Sequence, residues 1–137
     1  MNRKYTKINE RVTAMSKPPK FTLAFGIRSN RAEAFAFYHK AFGARKISEE
    51  GSPEDAANHL IFMDLYGLDV LLGPDDGEII VGNTTYCCVT FDKEEELRKA
   101  YDVLVQGGQN YHLGSHSFTP LGGHVTDKYG VKWWLTL

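Results

Sequence analysis

The chain of 137 residues is 42% hydrophobic and 24% charged, which is typical of a globular domain with a substantial apolar core. Its formal net charge is −1, but the first 20 residues contain six basic side chains against Glu10 alone, so the rest of the chain is acidic. An acidic body lacks the basic face of a nucleic-acid-binding domain, and no stretch reaches the roughly 18 apolar residues that a membrane span requires. We therefore expect neither nucleic acid nor membrane among the partners of the protein.

Residues 1–20 form a polar, basic segment that ends in Lys17-Pro18-Pro19-Lys20. The segment has no apolar run of the kind that a secretory signal contains. Its polarity and its proline pair are typical of a linker. We therefore predict a flexible tail over 1–20 and one domain over 21–137.

Cys87 and Cys88 are the only cysteines, and they are adjacent. Neighbouring residues on a strand point to opposite faces, which disfavours a disulfide between them. Both are expected to act as small packing residues. Since nothing in this pattern requires an oxidising compartment, we expect a cytoplasmic protein.

In the first half of the chain, one strand precedes one helix. Alternating bulky residues over 21–27 predict the strand. Ser29 or Asn30 can cap the helix, and Glu33, three residues after Asn30, completes a sequence that resembles a capping box. Gly43 ends the helix. The strands that follow are separated by polar turns, and two of them join in a tight hairpin. These three strands are predicted at residues 44–49, 58–65 and 68–72.

The same order of elements starts again after a break at residues 73–77, which are rich in glycine and aspartate. Residues 84–91 predict a strand. Asp92 is the predicted N-cap of a helix over 93–105, which ends at Gly107-Gly108. Three further strands are predicted at residues 110–118, 123–126 and 131–137.

The repeated order, with a period of about 63 residues, predicts an α+β fold of two βαβββ modules at about 21–75 and 84–137. Three stretches then resemble signatures of a known superfamily: AFAFYHKAFGA at 34–44, the strand pair at 58–72, and VTDKYGVKW at 125–133. Their order and spacing resemble the vicinal oxygen chelate superfamily of glyoxalases, bleomycin and fosfomycin resistance proteins and extradiol dioxygenases, and within it the PhnB-like group. The resemblance implies curved sheets that form an open half-barrel with a cleft. With the exposed edge strands of each module, it also implies a homodimer.

In metal-dependent members of that superfamily, four strand residues bind one divalent ion in the cleft. In this chain, three of the four positions hold leucine or tryptophan, which offer no ligand atom. A shift of one residue along the strands adds only Cys87 as a plausible ligand. The resemblance therefore implies that the usual metal site is absent, and we expect neither a metal nor another cofactor. The four positions, by alignment on the helix signatures, fall on Leu23, Leu71, Tyr86 and Trp134.

Aromatic residues stand at two of these four positions. By the alignment, Tyr86 and Trp134 point into the cleft, where they suit a flat or apolar small molecule held by stacking and burial. The alternative is that they simply fill the cleft. Trp133 points the other way and is expected to pack against the second helix. The predicted ligand-binding residues are Tyr86, Trp134, His59 and His116.

Three functions stay open at this point. The predicted one is a small-molecule-binding protein of the resistance or sequestration type, without the usual metal site. The second is a metal-dependent lyase, isomerase or dioxygenase whose displaced site is built from His59, His112 or His116. The third is a structural or regulatory protein whose cleft is filled by its own side chains. The sequence does not decide between enzyme and binding protein.

Overall fold

A computed structural model describes residues 19–74, 79–82 and 84–137, which form two four-stranded sheets with one helix each. Residues 1–18 of the predicted tail and residues 75–77 of the predicted break lie outside the described residues. The first module contains β1 (Leu23–Gly26), α1 (Arg31–Phe42), β2 (Arg45–Glu50), β3 (Leu60–Leu65) and β4 (Leu68–Gly73). The second module contains β5 (Cys87–Thr90), α2 (Glu94–Leu104), β6 (Gln109–His116), β7 (Thr119–Thr126) and β8 (Lys132–Thr136).

The two sheets have the same topology. The strand order is β1-β4-β3-β2 in the first module and β5-β8-β7-β6 in the second. In each sheet the first strand runs parallel to the last strand of its module, and the other neighbours are antiparallel. The two parallel strands of each module are joined by a long crossover connection that includes the helix, as a parallel pair requires. This repeat confirms the predicted α+β fold of two βαβββ modules, and neither sheet closes on itself.

Helix α1 begins as the sequence predicted. The side-chain oxygen of Asn30 accepts hydrogen bonds from the backbone N–H groups of Ala32 and Glu33 at 2.9 and 3.3 Å. The helix ends at Gly43, which has a φ of 72° and donates its N–H to the carbonyl of His39. Both ends of this helix are therefore set by local sequence.

Helix α2 begins differently, and the prediction that Asp92 caps it is wrong. Lys93 occupies the N-cap position, and its side chain makes no capping hydrogen bond. The first turn instead contains three glutamates, whose negative charge is favourable near the positive end of the helix dipole. They are Glu94, Glu95 and Glu96.

Strand β7 is longer than predicted, because it begins at Thr119 rather than at residue 123. Adjacent glycines are common in turns, yet Gly122 and Gly123 lie inside this strand. A Cβ atom at Gly123 would clash with the backbone oxygen of His112 and lie 2.9 Å from the Cα atom of Leu113. Glycine is required here by the close approach of β6, which is one of the recognised uses of glycine within a strand.

Trp133 lies where the two modules meet. Its side chain is fully buried, and its ring centroid lies 4.7 Å from that of Phe42, 5.8 Å from Tyr38 and 5.9 Å from Phe25. These rings belong to α1 and β1 of the other module, so the aromatic contacts of Trp133 are made across the module boundary; its packing against the second helix, which also contacts β8, stays a prediction. The modules share one continuous apolar core, into which both helices pack.

Each sheet buries only one of its faces. Buried and half-buried residues alternate along β3 and along β8, as expected for strands with one face against a core. Within the described residues, neither helix has the length and apolar character needed to cross a membrane. No described helix or strand packs over the opposite faces of the two sheets, and the uncovered face of the second sheet is the candidate site.

Candidate functional site

The uncovered face of the second sheet carries a row of four side chains, one from each strand. Cys88 of β5 lies opposite Trp134 of β8. Trp134 lies opposite His124 of β7, which in turn lies opposite His112 of β6. Register partners project on the same side of a sheet, and Trp134 points away from the core because Trp133 points into it. We call this row, together with Tyr86, the floor of the site.

A cavity of about 710 Å³ lies over the floor. Its volume falls within the range of roughly 300 to 1,000 Å³ that is usual for small-molecule sites. The cavity opens to solvent, since no described element packs over this sheet face. Its lining residues are Tyr86, Cys88, Asn110, Phe118, His124, Val125, Thr126, Lys132, Trp133 and Trp134.

Trp134 is the central aromatic group of the floor. Its ring centroid lies 5.3 Å from that of His116 and 5.9 Å from that of Phe118. A Cβ atom at Gly122 would lie 3.1 Å from the indole, so the missing side chain lets the ring lie against β7. His116 is itself fixed, because its Nε2–H donates to the carbonyl of Gly122 at 3.0 Å. The indole is therefore held in place on one side by these neighbours.

The basic groups that line the cavity are Lys132 and His124. Lys132 lies two residues before Trp134 on β8, so both side chains are on the same face. Its Nζ donates to the hydroxyl of Thr126 at 3.3 Å. His124 adds an imidazole that is exposed to the cavity. None of the described residues that line the cavity is an aspartate or a glutamate.

The structure brings three of the four predicted ligand-binding residues together. Tyr86 and Trp134 line the cavity, and His116 contacts the Trp134 ring from the side. His59 lies in the first module, where it is buried and its Nε2 is 2.5 Å from a carboxylate oxygen of Glu49. It takes no part in the second sheet. Ligand binding by these four residues stays a prediction.

Cys88 and Lys132 are site residues that the sequence reasoning did not select, and His124 was not among the predicted ligand-binding residues. Cys88 was expected to pack, yet it is exposed on the floor, while its neighbour Cys87 faces the core. Burial raises the pKa of the Cys87 thiol to about 11. Strand alternation from Tyr86 and Trp134 would have identified Cys88 and Lys132, whereas His124 requires knowledge of the register between β7 and β8.

The family model described as Glyoxalase/Bleomycin resistance protein/Dioxygenase superfamily matches residues 27–135. The chain belongs to this superfamily. The match spans both modules, so the resemblance inferred from the three sequence stretches is confirmed. Comparison with proteins of curated function finds no match.

Solved structures of three proteins illustrate the fold of this superfamily member. A PhnB protein from Bacillus cereus is 26% identical, with a TM-score of 0.76 and coverage of 87% of this chain and 99% of that chain. A glyoxalase-related enzyme from Fulvimarina pelagi is 18% identical, with a TM-score of 0.63 and coverage of 88% and 87%. A variant of the fosfomycin resistance protein FosX from Listeria monocytogenes, complexed with manganese(II) and dihydroxypropylphosphonic acid, is 14% identical, with a TM-score of 0.61 and coverage of 89% and 92%. The last two similarities concern the fold alone.

The strand register corrects one of the four positions at which metal-dependent superfamily members bind their ion. Leu23 lies opposite Val70 and packs against the core, whereas Ala24 lies opposite Leu71 on the uncovered face. Within the described ranges, no three His, Cys, Asp or Glu residues are arranged to hold a metal ion. Of the side chains at the four positions, only the Tyr86 hydroxyl could act as a ligand, and Cys88, which the register sets opposite Trp134, would add a single thiol, so the positions do not fit a divalent ion. The corrected positions are Ala24, Leu71, Tyr86 and Trp134.

Proposed function

We propose that the protein binds a flat small molecule against the floor of the cavity, as a binding protein of the resistance or sequestration type. The observation that supports this proposal is the exposure of aromatic rings around Trp134. Tyr86 is 59% exposed and Phe118 is 71% exposed, and both line the same cavity as the half-buried indole. A contiguous exposed apolar patch of this kind often marks a binding site. Stacking on Trp134 requires no metal ion.

The expected affinity of the open floor is low, with a dissociation constant of about 1 mM or weaker. Each 100 Å² of apolar surface removed from water contributes roughly 2.5 kcal/mol. A two-ring compound that covers the Trp134 indole and the edges of its aromatic neighbours would gain about twice that amount before the entropy of immobilisation is subtracted. A dissociation constant of about 1 mM corresponds to 4.1 kcal/mol. Tighter binding therefore needs a second surface over the ligand.

We further propose that a second copy of the chain supplies this surface. Each sheet leaves one face uncovered, and on the first sheet that face includes the half-buried Phe62 and Leu71, which are register partners. A homodimer that places the first sheet of one copy over the second sheet of the other would turn each open floor into an enclosed cleft. Sedimentation analysis over a wide range of protein concentration tests this. A monomer at every concentration would contradict the dimer and leave binding to the open floor unaffected.

Ligand binding is tested by a thermal-shift screen of flat aromatic compounds, because a compound that binds only the folded state raises the melting temperature. Hits are then titrated against Trp134→Ala and against Tyr111→Ala as a matched control. Tyr111 is an aromatic residue of β6 that is about as exposed as Tyr86, but its ring contacts Tyr101 of α2 outside the cavity. We expect Trp134→Ala to weaken binding about tenfold or more, as loss of one stacking ring does elsewhere, and Tyr111→Ala to leave it unchanged. Wild-type affinity in Trp134→Ala would contradict the proposed site.

A second candidate, a metal-dependent enzyme with a displaced histidine site, draws support from one observation. The His112 ring lies 5.9 Å from His116 and 6.1 Å from His124. Against it, His59 lies in the other module and Nε2 of His116 is already bonded to a backbone carbonyl. Elemental analysis of protein purified without chelator separates the candidates. One divalent ion per chain, lost in His112→Ala, would favour the enzyme and contradict the binding protein.

A further inference from the structure

The charges of the residues that line the cavity indicate which charge a ligand should carry. Among the described residues that line it, Lys132 is a cation, His124 is a hydrogen-bond donor in either protonation state, and no side chain is an acid. This one-sided distribution is unexpected in a chain whose body is acidic. A small cavity lined by one sign of charge concentrates ligands of the opposite sign.

Among the described residues that line this cavity, Lys132 is the only lysine or arginine, and none of the described acidic residues pairs with it. Within the described part of the chain, its Nζ contacts only the neutral hydroxyl of Thr126. Other basic side chains pair with carboxylates: Lys46 with Glu49 at 2.9 Å and Arg45 with Asp64 at 3.2 Å. The half-buried ammonium of Lys132 therefore keeps donor capacity that a bound anion can use.

The position of Lys132 relative to Trp134 sets the geometry of such a ligand. Residues two apart on a strand share a face and are separated by roughly 6 to 7 Å. A ring stacked on the indole of Trp134 would place a substituent at its edge within reach of the Lys132 side chain. His124, the register partner of Trp134, can donate to the same ligand from β7.

We propose that this site selects aromatic carboxylates, with the ring on Trp134 and the carboxylate on the ammonium of Lys132. The proposal rests on the proposed function and specifies its ligand class. The acid group is recognised by a charge-assisted hydrogen bond, and the ring by stacking. An aromatic cation would find no carboxylate among the described lining residues, and a neutral ring would leave Lys132 unused.

The test uses three probes with the same ring system: 2-naphthoate, the neutral 2-naphthamide and 2-naphthylmethylammonium, each titrated at low ionic strength. We expect naphthoate to bind about three- to tenfold more tightly than the amide, and the ammonium to bind most weakly. The preference should shrink as salt is added, because the Debye length falls to about 10 Å at 0.1 M. Lys132→Met should abolish the preference, and Lys132→Arg should retain it. Lys99→Met, a change at an exposed lysine of α2, is the matched control.

The outcomes separate this inference from the proposed function. Equal binding of the three probes, or a preference for naphthoate that survives Lys132→Met, would overturn the assignment of an aromatic carboxylate and leave small-molecule binding standing. Absence of binding by all three probes to the folded wild-type protein would overturn both. Circular dichroism of each variant confirms that it is folded before titration.

Discussion

Tyr38 of α1 donates its hydroxyl hydrogen to Asp127 at the end of β7, with 2.7 Å between the two oxygen atoms. The same carboxylate oxygen accepts a hydrogen bond from Trp133 Nε1 at 2.9 Å. The other oxygen accepts from the backbone N–H groups of Tyr129 and Val131 at 2.8 and 3.1 Å. One buried carboxylate therefore joins the helix of the first module to the turn that leads into β8. Because β8 carries both tryptophans, this contact helps to position the floor of the site.

We expect Tyr38→Phe to lower the free energy of unfolding by about 1.5 to 3 kcal/mol, the range for a lost hydrogen bond to a charged group. The ring and its aromatic contacts are retained in this variant, so the change isolates the hydroxyl. Urea denaturation followed by circular dichroism measures the effect. Tyr111→Phe, which removes an exposed hydroxyl, is the control and should be neutral. Equal stability of the two variants would contradict a stabilising role for the bond between modules.

Asp127 should make stability depend on pH. Burial raises the pKa of its carboxyl above the ordinary value of 3.8, although the hydrogen bonds from Tyr38 and Trp133 lower it in part. A group with a raised pKa in the folded state contributes stability below its unfolded pKa, and that contribution is lost as pH rises through the folded value.

The matched comparison is with Asp127→Asn, which does not titrate and whose single amide oxygen cannot accept all four of the hydrogen bonds made to Asp127. At neutral pH we expect the variant to be less stable by about 1 to 3 kcal/mol, because buried donors lose their acceptor. The stability advantage of the wild type over the variant should decrease as pH rises from about 4 and then become constant. Urea denaturation at several pH values measures this difference. An advantage that grows with pH would show that the carboxyl pKa is lowered instead.

Substitution of the two adjacent tryptophans should lower the free energy of unfolding by very different amounts. Trp133→Ala removes a fully buried indole from the shared core, so we expect a loss of about 3 to 5 kcal/mol in unfolding free energy. Trp134→Ala alters a half-buried ring on the floor and should cost about 1 kcal/mol or less. Chemical denaturation of both variants tests the contrast. Similar losses for the two would mean that the floor is a buried surface rather than an open one.

The adjacent cysteines should differ in reactivity toward a thiol reagent. Cys88 is exposed on the floor, whereas burial raises the pKa of the Cys87 thiol to about 11 and keeps it protonated near neutral pH. We expect the Cys88 thiol to react rapidly in the folded protein and the Cys87 thiol to react only after unfolding. The rapid reaction should therefore remain in Cys87→Ser and be lost in Cys88→Ser. Saturating 2-naphthoate should slow the fast reaction by covering the cavity. Fast labelling of Cys87 in the folded Cys88→Ser variant would contradict the assigned strand faces.

Much of the fold was predictable because its signals are local. The cap at Asn30 and the stop at Gly43 depend on the conformations of a few consecutive residues. Alternation along a strand placed Trp133 and Trp134 on opposite faces without any knowledge of their partners. Where local signals are ambiguous, prediction failed: Asp92 is a good capping residue that does not cap, and β7 begins at Thr119 rather than at residue 123.

The sequence by itself determined the two βαβββ modules, the superfamily and the outward face of Trp134, since periodicity and short signatures are properties of neighbouring residues. Only the tertiary structure decided which strands lie side by side. That register placed Ala24 rather than Leu23 on the open face, set His124 opposite Trp134, and separated His59 from the other histidines. It also packed Trp133 against α1 of the other module. Strand register and packing between modules depend on contacts between residues far apart in the chain, and no local pattern encodes them.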